Sequence, residues 1–478
     1  MVNFQDGRRG SPTADGSFAP PAARVSCRLG PADAATVLSL CALATCWSWR
    51  LGTTFSHDYD EGVYLVSARE MLHGAVPFRD LFSSQPPAYL WMLRTALALG
   101  GDTVGSGRAL SIVSAVIACA ALGVLSRRLF GRPAALAAVV LCGCSPVFIS
   151  VAHTCQPEAL ALALAISALS LVTGAGQVAR GWREVGAGML FGLALSTKLL
   201  MAPLALPLLW FTGGYKGAAR VVGSAAAVVL AVAFPHDLRA VLDQAVGFHL
   251  DALRQGAGSH VGLREFFRGG GYLWFLALGG CLVRRRRPRL LVGLLLWIGP
   301  SAAFLLVHRP IFSHHLSLLA PPLALASSSA VAAVREKFGR VPALVLVALT
   351  ALLDIDRGAS MRVSAPRPEE VAALEAIERY SSPEQRVVSD DQMLVFRAGR
   401  RVAGDLVDTS FVRMDTGSLT LHALERAVGS GTLVVVWTGR FYHLPGFADW
   451  LRERCEPLLE FPDAAVPGRG LHRARPPP

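Results

Sequence analysis

Long uninterrupted apolar runs constrain this chain more than any other feature. Segments such as 218–235 and 290–307 hold 18 residues each, with almost no ionisable side chain. At 1.5 Å per residue a helix of that length crosses a hydrocarbon core of about 30 Å. Several such runs occur, and only 17% of the 478 residues are charged while 53% are hydrophobic. A soluble chain carries roughly a quarter charged residues, so lipid is the better account of where this surface is buried. The expected fold is therefore an α-helical polytopic membrane protein.

The net charge of +12 does not point to nucleic acid. The basic residues sit in short loops between apolar runs, and no basic stripe interleaves with aromatics. Eleven segments read as spans: about 34–51, 108–126, 133–151, 156–173, 184–197, 199–214, 218–235, 270–283, 289–307, 314–333 and 340–356. The apolar stretch 86–100 opens with Pro86-Pro87, carries Arg94 and is short, which suits a helix lying along the interface. With the N-terminus cytoplasmic, the loops holding Arg127/Arg128/Arg132, Arg180/Arg183, Lys216/Arg220, Arg284–Arg289 and Arg335/Lys337/Arg340 all fall inside, as the positive-inside rule requires.

That parity divides the chain into a polar, disordered cytoplasmic tail over 1–30, a membrane domain over 31–356 with an outer loop at 52–107, and a soluble extracytoplasmic region over 357–478. The last region shows strand-like runs at 386–389 and 432–437 and helical stretches at 368–380 and 446–459, a small α/β domain. The nine cysteines lie mostly inside apolar runs and show neither metal-ligand spacing nor a disulfide framework. The parity also brings Asp58, Asp60, Glu61, Glu158, Lys198, His249, His260, Arg309, His314 and His315 to the outer face. Ionisable groups near membrane depth are costly and tend to serve function.

The outer loop is the most informative stretch. From Asp60 the spacing is helical, with Tyr64, Ala68 and Leu72 on one stripe, so Asp60 and Glu61 open an amphipathic helix, where acidic residues also complement the helix dipole. The loop continues through Gln85 and Pro86-Pro87-Ala88-Tyr89. An Asp-Glu pair after the first span, then Tyr64, Ala68-Arg69 and Met71, then Pro-Pro-x-Tyr opening an interfacial helix, resembles the GT-C membrane glycosyltransferases, in the branch of protein O-mannosyltransferases and aminoarabinose transferases. Arg127-Arg128-Leu-Phe-Gly131-Arg132, Thr197-Lys198 and His314-His315 before Ala320-Pro321-Pro322 echo it. The resemblance covers roughly residues 30–335.

The resemblance implies transfer of a sugar from a polyprenyl-phosphate carrier to an envelope glycan, lipid or protein, outside the cytoplasm and at the plasma membrane. It implies Asp60 as the catalytic carboxylate, with Glu61 shaping the loop and Asp58 as a second base. Lys198, Arg309, His314 and His315 are then expected at the lipid phosphate, although Lys198 can equally snorkel from a span end and only one of the two histidines readily faces the site. Tyr64, Gln85 and Glu158 are expected to line the substrate site, Glu158 alternatively capping the helix that begins near Pro157. Asp58, Asp60 and Glu61 can hold a divalent cation, but nothing completes a shell and no required metal is expected. The chain departs from the aminoarabinose branch at Val63 and at Ser84-Gln85, where that branch carries basic groups, so donor phosphate must be met differently here. A flippase for lipid-linked saccharide would instead place charge in mid-span and break helices in paired halves, and a non-catalytic scaffold of the same family is the other alternative.

Overall fold

The computed structural model describes residues 30–476 apart from 50, 56–57, 174–179, 213, 259–261, 359–363 and 463–464. The expected tail, but for Gly30, and His260 lie outside the described residues. Each of the eleven apolar segments folds as helix. By length and composition alone, four helices among the described residues can cross a membrane unaided: Val104–Phe130, Tyr215–Ala233, Pro288–Val307 and Ser313–Phe338. Two further pairs, Arg132–Gly143 with Pro146–His153 and Leu263–Gly270 with Leu273–Arg286, are bent by 69° and 72°. Pro146 stands at the first bend, where a proline nitrogen cannot continue the hydrogen-bond ladder. Ala88–Gly100 is a separate helix of 13 residues, about 20 Å long and too short to cross.

Small residues set the helix spacing. A Cβ at Gly188 would lie 2.3 Å from the Val221 carbonyl oxygen, and one at Gly280 only 1.9 Å from that of Ala326. These backbones touch, as tightly packed membrane helices allow only at glycine or alanine.

The C-terminal region forms a five-stranded sheet of β1 (Arg386–Ser389), β2 (Arg401–Val402), β3 (Leu433–Val436), β4 (Cys455–Glu460) and β5 (Gly470–Ala474), in the order β2-β1-β3-β5-β4. β2, β1 and β3 are parallel, and β5 runs antiparallel to both β3 and β4. The helix Pro368–Tyr380 forms as expected, but the one expected over 446–459 stops at Arg454 and the chain continues as β4. Cys455-Glu-Pro-Leu-Leu-Glu contains a proline, which favours a strand over continued helix.

The outer loop does not belong to the membrane core. Tyr64, Leu65, Val66, Tyr89 and Leu93 share one buried cluster with Val387, Val388, Leu394 and Val434 of the sheet domain. The helix Tyr59–Leu72 lies so close to the helix Gln392–Arg397 that a Cβ at Gly62 would sit 2.5 Å from the Met393 nitrogen. The Glu70 carboxylate accepts from Arg401 at 2.6 Å, and Arg69 meets Asp102 at 2.6 Å and the Arg400 carbonyl at 3.1 Å. The loop over 52–107 and the C-terminal region therefore pack into one shared core.

Candidate active site

Asp58 caps the helix Tyr59–Leu72, its Oδ1 accepting the Asp60 amide at 3.1 Å. Consecutive helical residues point about 100° apart, so Asp60 and Glu61 diverge. Asp60 faces a cavity of about 410 Å³, and Glu61 turns into the protein with no exposed surface. There the Glu61 carboxylate takes Arg108 as a two-pronged ion pair at 2.7 and 2.8 Å and accepts the Cys155 amide at 2.8 Å. Glu61 thus ties Arg108 and the Cys155 amide together and does not line the cavity.

His314 and His315 begin the turn of 3-10 helix Ser313–Leu319. His314 Nδ1 lies 2.9 Å from Asp58 Oδ2, and its Nε2 lies 3.5 Å from Asp60 and 3.6 Å from Glu158. His315 Nδ1 accepts the Phe312 amide at 3.0 Å, which leaves Nε2 to carry the proton toward Glu158, 3.7 Å away. The two rings meet edge to face at 4.4 Å and both line the cavity. The expectation that only one could face the site fails because both aim at a single carboxylate.

That carboxylate, Glu158, is fully buried and pairs with the Lys198 ammonium. Glu158 does not cap its helix, and Lys198 neither snorkels nor reaches the cavity. Burying either charge alone would be costly, and each compensates the other. Arg309 also stands outside the cavity, although the adjoining residues Pro310 to His315 form one of its walls. Tyr64 is buried, packed edge-on against Tyr89 at 5.1 Å. Tyr64 and Ala68, one and two turns on from Asp60, pack into the cluster shared with the sheet domain and do not line the cavity. Gln85 lines the cavity as expected.

The remaining walls come from His249, which the loop parity places on this face, and from the sheet domain, whose residues carry no signal. His249 donates from Nε2 to the Ser84 carbonyl at 2.8 Å, holding the loop before Pro86. The sheet domain supplies Asp408, Ser410, Phe411 and Arg440. The Arg440 guanidinium lies 4.0 Å over the Tyr59 ring, while the Tyr59 hydroxyl meets Thr409 Oγ1 at 3.1 Å. No periodicity or family motif marks these residues. Their role depends on a fold contact spanning some 350 positions.

The two aspartates differ electrostatically. Burial raises the Asp58 carboxyl, but the charge and hydrogen bond of His314 outweigh it and hold it below the usual range. Asp60 is pushed up to about 6, first by burial and then by the charge of Asp58, against the pull of His314 and Lys198. Burial also pushes the Tyr59 hydroxyl well up, keeping it a donor, and takes His249 down to about 4. The site thus pairs one carboxylate that is firmly ionised with one poised near neutrality, the separation that assigns acid–base work. Ligand atoms of Asp58, Asp60 and His314 lie within 4.8 Å of one another, as do those of Glu158, His314 and His315. The second trio is compensated by Lys198. In the first, His314 Nε2 can face a divalent cation while Nδ1 stays on Asp58.

Comparison with known proteins bears on the fold. Residues 84–236 match the model of the family described as dolichyl-phosphate-mannose-protein mannosyltransferase. No curated protein matches the chain. Among solved structures, the chain is similar to ArnT from Cupriavidus metallidurans in the apo state, with a TM-score of 0.68 at 14% identity over 93% of this chain and 98% of that one. The same protein bound to undecaprenyl phosphate gives 0.67 at 15% identity, over 92% and 97%. The oligosaccharyltransferase of Archaeoglobus fulgidus in its apo form gives 0.58 at 14% identity, over 79% and 65%. The resemblance to GT-C proteins read from the outer loop holds at the level of fold.

Proposed function

We propose that this GT-C-fold chain moves a sugar from a polyprenyl-phosphate carrier to a hydroxyl of a cell-envelope acceptor, a glycan, lipid or protein. The reading places the N-terminus in the cytoplasm, and the cavity and sheet domain outside the plasma membrane. The observation that carries it is the poised Asp60 carboxylate in a cavity that also presents His314, His315, His249 and Arg440. Lipid carriers named in the matched structures, undecaprenyl phosphate among them, support the donor class.

In this account the acceptor hydroxyl binds with its proton toward Asp60. As the bond from the anomeric carbon to the carrier phosphate oxygen lengthens, the carbon gains oxocarbenium character and the hydroxyl oxygen bonds to it. Asp60 takes the proton, and the polyprenyl phosphate leaves with the electron pair. A base poised near the working pH is favoured in such a step. Cationic and hydrogen-bond donors must meet the leaving phosphate. Arg440 and His314 Nε2, which has no hydrogen-bond partner among the described residues, are the lining groups that can do so, in place of the basic residues missing at Val63 and Ser84-Gln85. Asp58 holds His314, and through its charge it sets the basicity of Asp60.

Membranes containing the chain, given a panel of radiolabelled undecaprenyl-phosphate sugars, are expected to move label into an envelope fraction. Absence of transfer from every donor, by protein that is folded and inserted, overturns the proposal in favour of a flippase or scaffold.

A further inference from the structure

A second cavity, of about 260 Å³, adjoins the first. Asp58, Tyr59 and Arg440 line both, so they form the partition between them. The new cavity opens at the carboxyl ends of β1 and β3. The chain leaves β1 toward β2 on one side, and β3 lies on the other, in the order β2-β1-β3. Crevices at such reversals of strand order are where open parallel sheets bind ligands.

The crevice is built, not incidental. The Asp390 carboxylate accepts the amides of Trp437 at 2.7 Å, Thr438 at 3.1 Å and Arg440 at 3.0 Å, which pins the loop after β3. Gly439 provides the left-handed turn this requires, with φ of 80°. Asp391 accepts the Met393 and Leu394 amides through Oδ1, leaving Oδ2 without a partner among the described residues. Burial and the charge of Asp390 push Asp391 up to about 6.

The wall is polar but nearly balanced. Three guanidiniums, Arg367, Arg440 and Arg469, face three carboxylates, Asp58, Glu370 and Asp391. Arg367 pairs with Glu370 at 2.8 Å, Arg469 with Glu369 at 3.1 Å, and Arg469 also stacks 4.0 Å from the Trp437 ring. No excess of positive charge is left for an anion, yet donors, acceptors and ring surface are dense. That combination suits a neutral, hydroxyl-rich ring.

We propose that the crevice between β1 and β3 is an acceptor subsite that binds a neutral sugar unit next to the hydroxyl delivered to Asp60. The proposal rests on the transferase reading above, and it narrows the acceptor to a saccharide or a saccharide-bearing molecule. Occupancy would bear directly on Arg440 and Tyr59, the residues that separate the two cavities.

The test uses the full chain in detergent and ligand-observed saturation-transfer NMR. The probes are chitotriose, maltotriose and α-1,6-mannotriose, with tri-galacturonate as the anionic counterpart and undecaprenyl phosphate titrated separately. At least one neutral trisaccharide is expected to bind. Loss of a hydrogen bond to a charged wall group in Asp391→Asn or Arg367→Gln should weaken it about tenfold, with undecaprenyl phosphate binding unchanged in both. The Arg367 side chain is 53% exposed, so that variant carries the test should Asp391→Asn misfold. Binding of no neutral probe, binding of tri-galacturonate alone, or full binding by both variants overturns the subsite. Saccharide binding with this sensitivity, in a protein that neither binds undecaprenyl phosphate nor transfers from it, upholds the subsite and overturns the transferase reading instead.

Discussion

Glu61→Gln should damage stability far more than catalysis, although Glu61 stands beside Asp60 in the outer-loop motif. The substitution removes the charge that faces Arg108, a guanidinium with 1% of its surface exposed. Breaking one partner of a buried ion pair costs about 3–5 kcal/mol. Arg108 keeps bonds to the Leu51 carbonyl at 3.0 Å, the Thr54 carbonyl at 3.1 Å and Thr54 Oγ1 at 2.8 Å, so the lower figure applies. A loss of about 3 kcal/mol in a chain of this size lowers the melting temperature by about 3 °C. Thermal unfolding in detergent measures it. The double variant Glu61→Gln, Arg108→Met leaves no orphaned charge and should recover at least about half of the loss. Transfer by folded Glu61→Gln should fall less than about tenfold, whereas a missing base costs at least about a hundredfold. A variant that melts like the wild type but transfers nothing would refute this reasoning and return Glu61 to the catalytic set.

Other perturbations separate the remaining roles. Asp60 must be ionised to act as base, so kcat should rise with pH through an apparent value near 6 and level off above it; Asp58→Asn, which removes a charge that raises Asp60, should move that limb to lower pH. Because its folded value is raised, Asp60 contributes stability only at low pH, below the unfolded carboxylate value of about 3.9, and that contribution is lost as pH rises through 6. Lys198→Met should destabilise by orphaning Glu158, and adding Glu158→Gln should restore stability without raising the KM for the lipid donor. Gly62→Ala would place a Cβ 2.5 Å from the Met393 nitrogen; limited proteolysis should then release the sheet domain faster than from the wild type.

The apolar runs of this chain are legible as helices because lipid burial demands long apolar stretches. Each folds as helix, but the breaks within them, such as the 69° bend inside 133–151, are not legible, and four helices among the described residues are long and apolar enough to cross unaided. Asp58, Asp60 and Gln85 at the cavity are legible because they share one loop with a motif. The partnering of Glu158 with Lys198 was not, since two ionisable residues 40 positions apart carry no sign that they compensate one another inside the protein. The packing of Tyr64, Leu65 and Tyr89 into the sheet domain was equally hidden. Helical spacing shows which face of Tyr59–Leu72 is apolar, but not whether membrane helices or a distant sheet covers it. Arg440 and Asp408 were invisible for the same reason, being loop residues after short strands whose meaning comes only from where the sheet docks.

The central claim is that Asp60 takes the acceptor's proton. Transfer of radiolabelled sugar from an undecaprenyl-phosphate donor, compared between wild type and Asp60→Asn with donor binding measured in parallel, tests it most directly. The account predicts donor binding unchanged and transfer lower by at least about a hundredfold. Transfer equal to wild type would contradict it and pass the role to Asp58.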